Sequence, residues 1–212
     1  MKTKALSLTV LFLYTAISVF SQGLGIQAGV NFQNLNGKDA TGDKLENKLN
    51  IGFHGGLNYQ IPVAPEFYFQ PGVLFTTKGA KSDDGEIKTS ISYIEVPLNV
   101  VYKGLLGSGH VLLGFGPYLA YGIGGKMASD DDDVKIKFKN EVTVADLMEN
   151  PYFKALDAGG NIFFGYELEN GLFCTFNAQL GMLSINPKFE GEDDSDATIK
   201  NTGFGLSLGF RF

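Results

Sequence analysis

Five charged residues interrupt an otherwise uncharged polar pattern: Lys78, Glu95, Asp157, Glu167 and Arg211. Each stands on the polar side of a run in which apolar and polar residues alternate. Together with Asn99, Asn161 and Gln179 they hold the donors and acceptors of a paired network. Satisfied and buried, such a network fills and stiffens an interior. Ionisable groups in apolar surroundings are also the usual carriers of protons and ions, which is the competing chemistry. A second group is acidic only. "SDDDD" at 129–133 contributes Asp130, Asp131, Asp132 and Asp133, and "EGEDDSD" follows at 190–196. Clustered carboxylate oxygens suit a hard cation such as Ca²⁺. Neither stretch has the spacing of a calcium loop, so solvated charge is the plainer reading. No cofactor is implied.

Motifs for catalysis fail on inspection. "GIGGKM" at 122–127 has Ala120 where a phosphate-binding loop needs its leading Gly, and Met127 where it needs Ser or Thr. Ser108 follows Gly107 directly, which is not the spacing of a nucleophile elbow. His54 and His110 are the only histidines, placed on the polar parity toward opposite ends of their runs, where ordinary packing accounts for them. Cys174 is alone and shares its parity with Leu172, Phe176 and Ala178, as a small apolar residue on a strand face would. No enzymatic constellation results.

These residues are carried by strands. Eight runs of period two follow one another, about 23–33, 49–61, 66–78, 90–103, 110–125, 156–169, 171–185 and 200–212. The connections after the odd-numbered runs are long and charged, about 34–48, 79–89, 126–155 and 186–199. Those after the second, fourth and sixth are tight: "PVAPE", "GLLGSG" and "ENG". An even strand count with long and short connections on alternate ends is the layout of an outer-membrane barrel, long loops outside and both termini in the periplasm. The alternation alone also suits a soluble, lipocalin-like barrel. The polar parity decides against that: it is Gly, Asn, Gln and Ser rather than the dense charge of a soluble exterior. The apolar parity is too bulky to turn inward in an eight-stranded barrel. Tyr59, Phe67, Tyr102, Tyr166, Phe210 and Phe212 fall near the short-turn end, and Phe32, Phe75, Tyr121 and Phe204 near the long-loop end, as two interfacial girdles. Pro71, Pro97 and Pro117 lie inside runs, where bulges or kinks are expected. "VKIKFK" at 134–139 alternates as an extension of a hairpin would, and "TVADLMEN" at 143–150 has the pattern of a short surface helix.

Residues 1–21 combine Lys2 and Lys4, an uncharged stretch from Ala5 to Phe20 and a small-residue context, the layout of a signal peptide. Cleavage is expected at about Gln22, leaving 22–212 as the barrel domain. The sixteen-residue apolar stretch is short of the ~20 residues of a membrane-spanning helix. Net charge is −6 and basic patches are not evident, which argues against a nucleic-acid partner.

"FYFQPGVLFTTKGAK" (67–81), "ISYIEVPLNVVYK" (91–103), "GFGPYLAYGIGGK" (114–126), "DAGGNIFFGYEL" (157–168) and "LSLGFRF" (206–212) resemble the PorT-like porin family of small outer-membrane β-barrel proteins. The resemblance runs through the whole mature chain and includes the prolines of "QPG", "EVP" and "GPY". It implies an eight-stranded antiparallel transmembrane barrel in the outer membrane and no particular activity. The last run sets Phe204, Leu206, Leu208, Phe210 and Phe212 against Gly203, Gly205, Ser207, Gly209 and Arg211. A terminal Phe after such alternation resembles the signal by which barrel-assembly machinery recognises its clients. The partners expected are therefore outer-membrane lipid, that machinery, and an extracellular or periplasmic partner held by the loops. The function expected is a structural or interaction barrel with a filled lumen and acidic outer loops. The alternatives are a narrow channel for small solutes or ions, and a soluble exported lipid-binding barrel.

Overall fold

The computed structural model describes residues 23–39, 41–129, 132–191 and 197–212, so the expected signal peptide lies outside the described residues. The alternating runs form eight long strands: β1 (Leu24–Lys38), β2 (Asn47–Tyr59), β3 (Phe67–Ser82), β4 (Lys88–Leu106), β5 (Gly109–Ala128), β6 (Leu156–Glu167), β7 (Leu172–Gly181) and β8 (Thr198–Arg211). Each pairs antiparallel with its sequence neighbours. The β1–β8 ladder then closes the sheet, running without a shift from Gly25↔Arg211 to Lys38↔Thr198. At the seam the Gly23 amide donates to the Phe212 carbonyl (3.2 Å) and the Phe212 amide to Leu24 (2.9 Å). Closure leaves no strand edge unpaired, which lipid demands because it cannot satisfy exposed backbone groups.

The period of two sorts the side chains. Phe115 (63% exposed), Leu208 (62%), Ile162 (62%) and Phe53 (57%) stand on the outer wall, while Asn31, Gln33, Asn58, Lys78, Glu95 and Asp157 are buried inside. An apolar outside around a polar inside inverts the pattern of a soluble lipid-binding barrel, so that alternative is not retained. Outer rings meet in belts. Phe67 and Tyr102 (centroids 5.4 Å apart) and Phe210 and Phe212 (5.1 Å) lie toward the short turns. Phe32, Phe204 and Phe176 form a chain of contacts (5.2 and 5.9 Å) toward the long loops.

The prolines sit differently from expectation. Register is the same on both sides of them, Pro71↔Leu98 leading on to Leu74↔Glu95, and Pro97↔Tyr118 to Val100↔Phe115. The register shifts lie elsewhere, between Leu49 and His54 on β2 and at Ser92/Tyr93 on β4. Pro117 meets Gly160, Pro71 meets Leu98 and Pro97 meets the lumen-facing Tyr118, and in each case the missing donor is absorbed without an extra residue. The strands also run further than the alternation suggested. β4 and β5 reach 19 and 20 residues and rise above the rest at the long-loop end, well beyond the ~9–11 residues that cross a bilayer. β6 and β7 are shorter, with 12 and 10 residues.

The space above them is filled by the two longest loops. Asp133–Lys135 extends the hairpin against β5, as "VKIKFK" suggested, but the chain then turns inward at Ile136. Lys137–Phe138 pairs parallel with Tyr152–Phe153, and Glu141–Val142 with Lys188–Phe189. Between them lies helix α1 (Val144–Glu149), opened by a capping box in which Thr143 Oγ1 accepts from the Asp146 amide and Asp146 accepts from the Thr143 amide.

Candidate functional site

The lumen is the candidate site, built in layers from the short-turn end upward. In the lowest layer Arg211 Nε donates to Glu167 Oε2 (2.9 Å), and Lys103 Nζ lies 2.6 Å from Glu167 Oε1. Arg211 also donates to the Gly23 carbonyl (3.0 Å), Asn58 Oδ1 (3.0 Å) and Gln70 Oε1 (3.4 Å), and its guanidinium lies over Phe173. Four of the five donors of the planar fork are used, so the end of β8 is tied to the residue before β1 and to β2, β3 and β6 at once. Beside this layer Val101, Leu112, Phe163 and Phe173 form an apolar cluster. The tip of the Phe163 ring packs against Gly114, where a Cβ would come within 2.2 Å of it.

The middle layer is uncharged. His54 Nδ1 is 2.6 Å from Asn31 Oδ1 and Nε2 is 2.7 Å from Ser207 Oγ, and Asn31 Nδ2 donates to Thr76 Oγ1 (2.9 Å). A carbonyl oxygen only accepts, so the ring proton sits on Nδ1 and Nε2 accepts from the serine. Asn161 Nδ2 donates to Asn99 Oδ1 (3.2 Å). Between them is a cavity of about 60 Å³, bordered by His54, Thr76, Asn99, Asn161, Asn177 and Thr175, among others. That is room for a few waters, with polar partners on part of the wall and Leu74, Leu112, Phe163 and Phe173 on the rest.

The upper layer is ionic again. Glu95, Ala120 and Asp157 stand directly opposite one another across β4, β5 and β6, and the small alanine leaves space for Lys78 from the adjoining strand β3. Lys78 Nζ reaches Glu95 Oε2 (2.8 Å) and Asp157 Oδ2 (3.1 Å). All three are buried, with Lys78 and Glu95 1% exposed and Asp157 fully enclosed. The ammonium lies 4.0 Å from the Tyr118 ring centroid. Asn201 donates to Asp157 (3.0 Å), and Gln179 to Glu95 Oε1 (2.7 Å). Buried charges persist only when paired and hydrogen-bonded, and each carboxylate here has both kinds of partner.

Above this lies an apolar lid. Leu35, Ala80, Ile91, Tyr93, Tyr118 and Ala120 of the barrel pack with Ile136, Phe153 and Ile185 of the loops, and Phe138 and Ile199 pack against them. Phe138 occupies the notch left by Gly122, whose Cβ would meet its ring at 2.5 Å. Backbone bonds hold the lid down: Ile136 to Gly125 (3.0 Å), Gly122 to Ala155 (2.7 Å), Lys154 to Ile185 (2.7 Å) and Ile185 to Ile199 (2.8 Å).

The eight residues singled out from sequence thus divide among three layers. Lys78, Glu95, Asp157 and Gln179 meet in the upper one, Glu167 and Arg211 in the lower one, and Asn99 bonds Asn161 between them. They do not form one continuous network. Lys103 completes the lower layer and escaped the sequence reading, although its odd number on β4 puts it on the parity of Glu95 and Asn99. Tyr118, Asn201 and the lid residues were also missed. Asp130 and Asp131 lie outside the described residues. The Asp133 carboxylate pairs with Lys126 (2.7 Å) and the Asp132 carboxylate accepts from the Asp133 amide (2.8 Å), so each is engaged locally. No cluster able to hold a metal occurs among the described residues.

Residues 20–187 match the family described as outer membrane protein beta-barrel domain, and the chain belongs to it. It is an integral β-barrel of the outer membrane. No curated protein matches the sequence. Solved structures that resemble it include Ail, the attachment invasion locus protein of Yersinia pestis, at 14% identity and a TM-score of 0.43, covering 90% of this chain and 99% of that one. The same protein in complex with the heparin analogue sucrose octasulfate gives 15% identity and a TM-score of 0.42 over the same shares. Likeness at that level speaks to neither ligand nor role.

Proposed function

We propose that this is a PorT-like barrel whose membrane part is a closed anchor and whose loop cap is the working surface. The observation that carries the reading is the double closure of the lumen, with ionic layers at both ends and the lid of Ile136, Phe138, Phe153 and Ile185 above. The signal peptide 1–21 directs export, the long loops face outward and both termini face the periplasm. The four long loops, 39–46, 83–87, 129–155 and 182–197, hold 18 of the 23 acidic residues and only six lysines. A partner for that surface is basic.

Planar-bilayer recording tests the anchor. Silence is the expected result, and discrete steps that vanish in Glu95→Gln or Arg211→Gln would establish the channel instead. The mid-lumen cavity of about 60 Å³ is the feature that favours that second reading. Pull-down with the intact protein, against a form with 129–155 replaced by a short linker, tests the cap: retained partners should be lost with the loop. N-terminal sequencing of membrane-extracted protein should begin near Gln22.

A further inference from the structure

Three strands bring a serine, a histidine and an asparagine together in the middle of the lumen. His54, Gly29 and Ser207 stand directly opposite one another across β2, β1 and β8, and Asn31 is the next inward residue of β1. Gly29 lets the ring pass, for a Cβ there would meet His54 Cε1 at 2.7 Å and Nε2 at 2.8 Å. The imidazole thus crosses β1 to the serine of β8, with Nε2 2.7 Å from Ser207 Oγ and Nδ1 2.6 Å from Asn31 Oδ1. The asparagine is oriented in turn. Its Nδ2 donates to Thr76 Oγ1 (2.9 Å) and to the Thr77 carbonyl (3.4 Å). A carbonyl only accepts, so Nδ2 lies on that side and Oδ1 on the side of the histidine. His54 then carries its proton on Nδ1 and presents the lone pair of Nε2 to the serine hydroxyl. A nucleophile, a base and a group that fixes the tautomer of the base are the parts that acyl transfer through serine requires.

Space and donors lie beside them. Ser207, His54 and Asn31 border the mid-lumen cavity of about 60 Å³, as do Thr175, directly opposite Ser207 on β7, and Asn177, the next inward residue of that strand. Their hydroxyl and carboxamide are donors of the kind that stabilise the oxyanion of a tetrahedral intermediate. We propose that Ser207 is the nucleophile and His54 the general base of an esterase site for short, neutral acyl esters, with Asn31 as a positioning residue. In the first half-reaction Ser207 Oγ bonds to the ester carbonyl carbon while its proton passes to His54 Nε2. The bond to the leaving oxygen then breaks, and the alkoxide takes that proton and departs as the alcohol. Water repeats the sequence on the acyl serine: its proton passes through Nε2 to Ser207 Oγ, and the carboxylic acid leaves. Size and charge select the substrate. Room for a few waters admits about four to six heavy atoms. The ion-paired layers above and below, Lys78 with Glu95 and Asp157, and Arg211 with Glu167, oppose entry of a charged molecule. A neutral ester carries no current, so the site is compatible with a barrel that is silent in a bilayer. Asn31 brings no charge to balance the imidazolium, and slow turnover is expected.

The test uses the full mature barrel in detergent micelles, with folding of each variant read from its heat-modifiable mobility on gels. Methanesulfonyl fluoride is the covalent probe, losing fluoride as Ser207 Oγ bonds to sulfur. Ethyl acetate is the turnover probe, followed by proton NMR. Tandem mass spectrometry of the tryptic peptide Asn201–Arg211 should find the sulfonyl group on Ser207. Ethyl acetate should be hydrolysed faster than in buffer, and prior sulfonylation should abolish the difference. Ser207→Ala should return hydrolysis to the buffer rate, and His54→Gln should lower kcat by on the order of 10²–10⁴-fold. Asn31→Leu should lower kcat with little change in KM, a split that a purely structural asparagine would not produce in a folded barrel. An unlabelled Ser207, hydrolysis at the buffer rate by the unchanged protein, or equal hydrolysis by folded Ser207→Ala overturns the proposal. Labelling and its effect on turnover need no substitution, so they decide it even where a variant fails to fold.

Discussion

Lys78 shows how much one side chain can decide. It is the only cation in the upper layer, and its removal leaves Glu95 and Asp157 facing each other without a countercharge in a space closed to water. Lys78→Met is expected to cost about 3–5 kcal/mol, whereas K78M/E95L/D157L, which removes the whole charge cluster, is expected to be close to neutral. Urea unfolding of the barrel in detergent micelles checks both, and equal destabilisation by the two variants would show that the charges are not coupled. Parity made Lys78, Glu95 and Asp157 legible as interior residues. Which of them meet was not legible, because contacts across a lumen depend on strand stagger and tilt, and a linear pattern does not carry these. Lys103 is the instructive omission: at the end of a run it reads as a loop cation, yet its parity already placed it on the lumen face, where it meets Glu167.

Among the elements, the lid and α1 give the sharpest tests. Phe138 sits where Gly122 has no side chain, so Gly122→Val should expel the ring and loosen the segment that follows. Faster tryptic cleavage at Lys135, Lys137 and Lys139, with the barrel itself intact, is the expected outcome. For α1, Thr143→Ala removes one half of the capping box and should destabilise the helix by about 1 kcal/mol, seen as faster amide exchange confined to 144–149. The other half depends on pH. The hydrogen bond from Lys139, and then those from Thr143, lower the Asp146 pKa from 3.8 to about 2. A carboxyl depressed on folding contributes stability that is fully present above its unfolded value and is lost as pH falls through the folded one. Exchange protection of α1 should therefore be constant down to about pH 4 and decline between there and about pH 2; loss already at pH 5 would contradict the pairing. The helix was readable from "TVADLMEN" because its cap is local. The lid was not, because Ile136, Phe153 and Ile185 come from three places joined by two-residue bridges, too short to leave a period.

For the molecule as a whole, alternation fixed the architecture because each strand has only two faces and lipid accepts only one kind of residue on one of them. The charge is stratified along the axis: acids at the loop tips, lysines on the strand ends beneath them, ion pairs within. That order also explains why a net charge of −6 says little by itself, since the groups that sum to it face different surroundings. Phe212 stands at the end of this scheme, and its deletion is expected to lower membrane levels of the protein more than removal of any one loop; unchanged levels would count against an assembly role.

The bonded seam between Gly23 and Phe212 makes the barrel, in effect, a ring with one covalent gap. The ladder has no preference for where that gap falls. A circular permutant joining 212 to 23 through a short linker and opened at Gly107–Ser108, in the tight turn between β4 and β5, should refold in detergent to the same barrel. It would no longer end on Phe212. Such a chain would keep the closed sheet and move the aromatic off the terminus, so its level in the membrane would test whether assembly needs a terminal Phe.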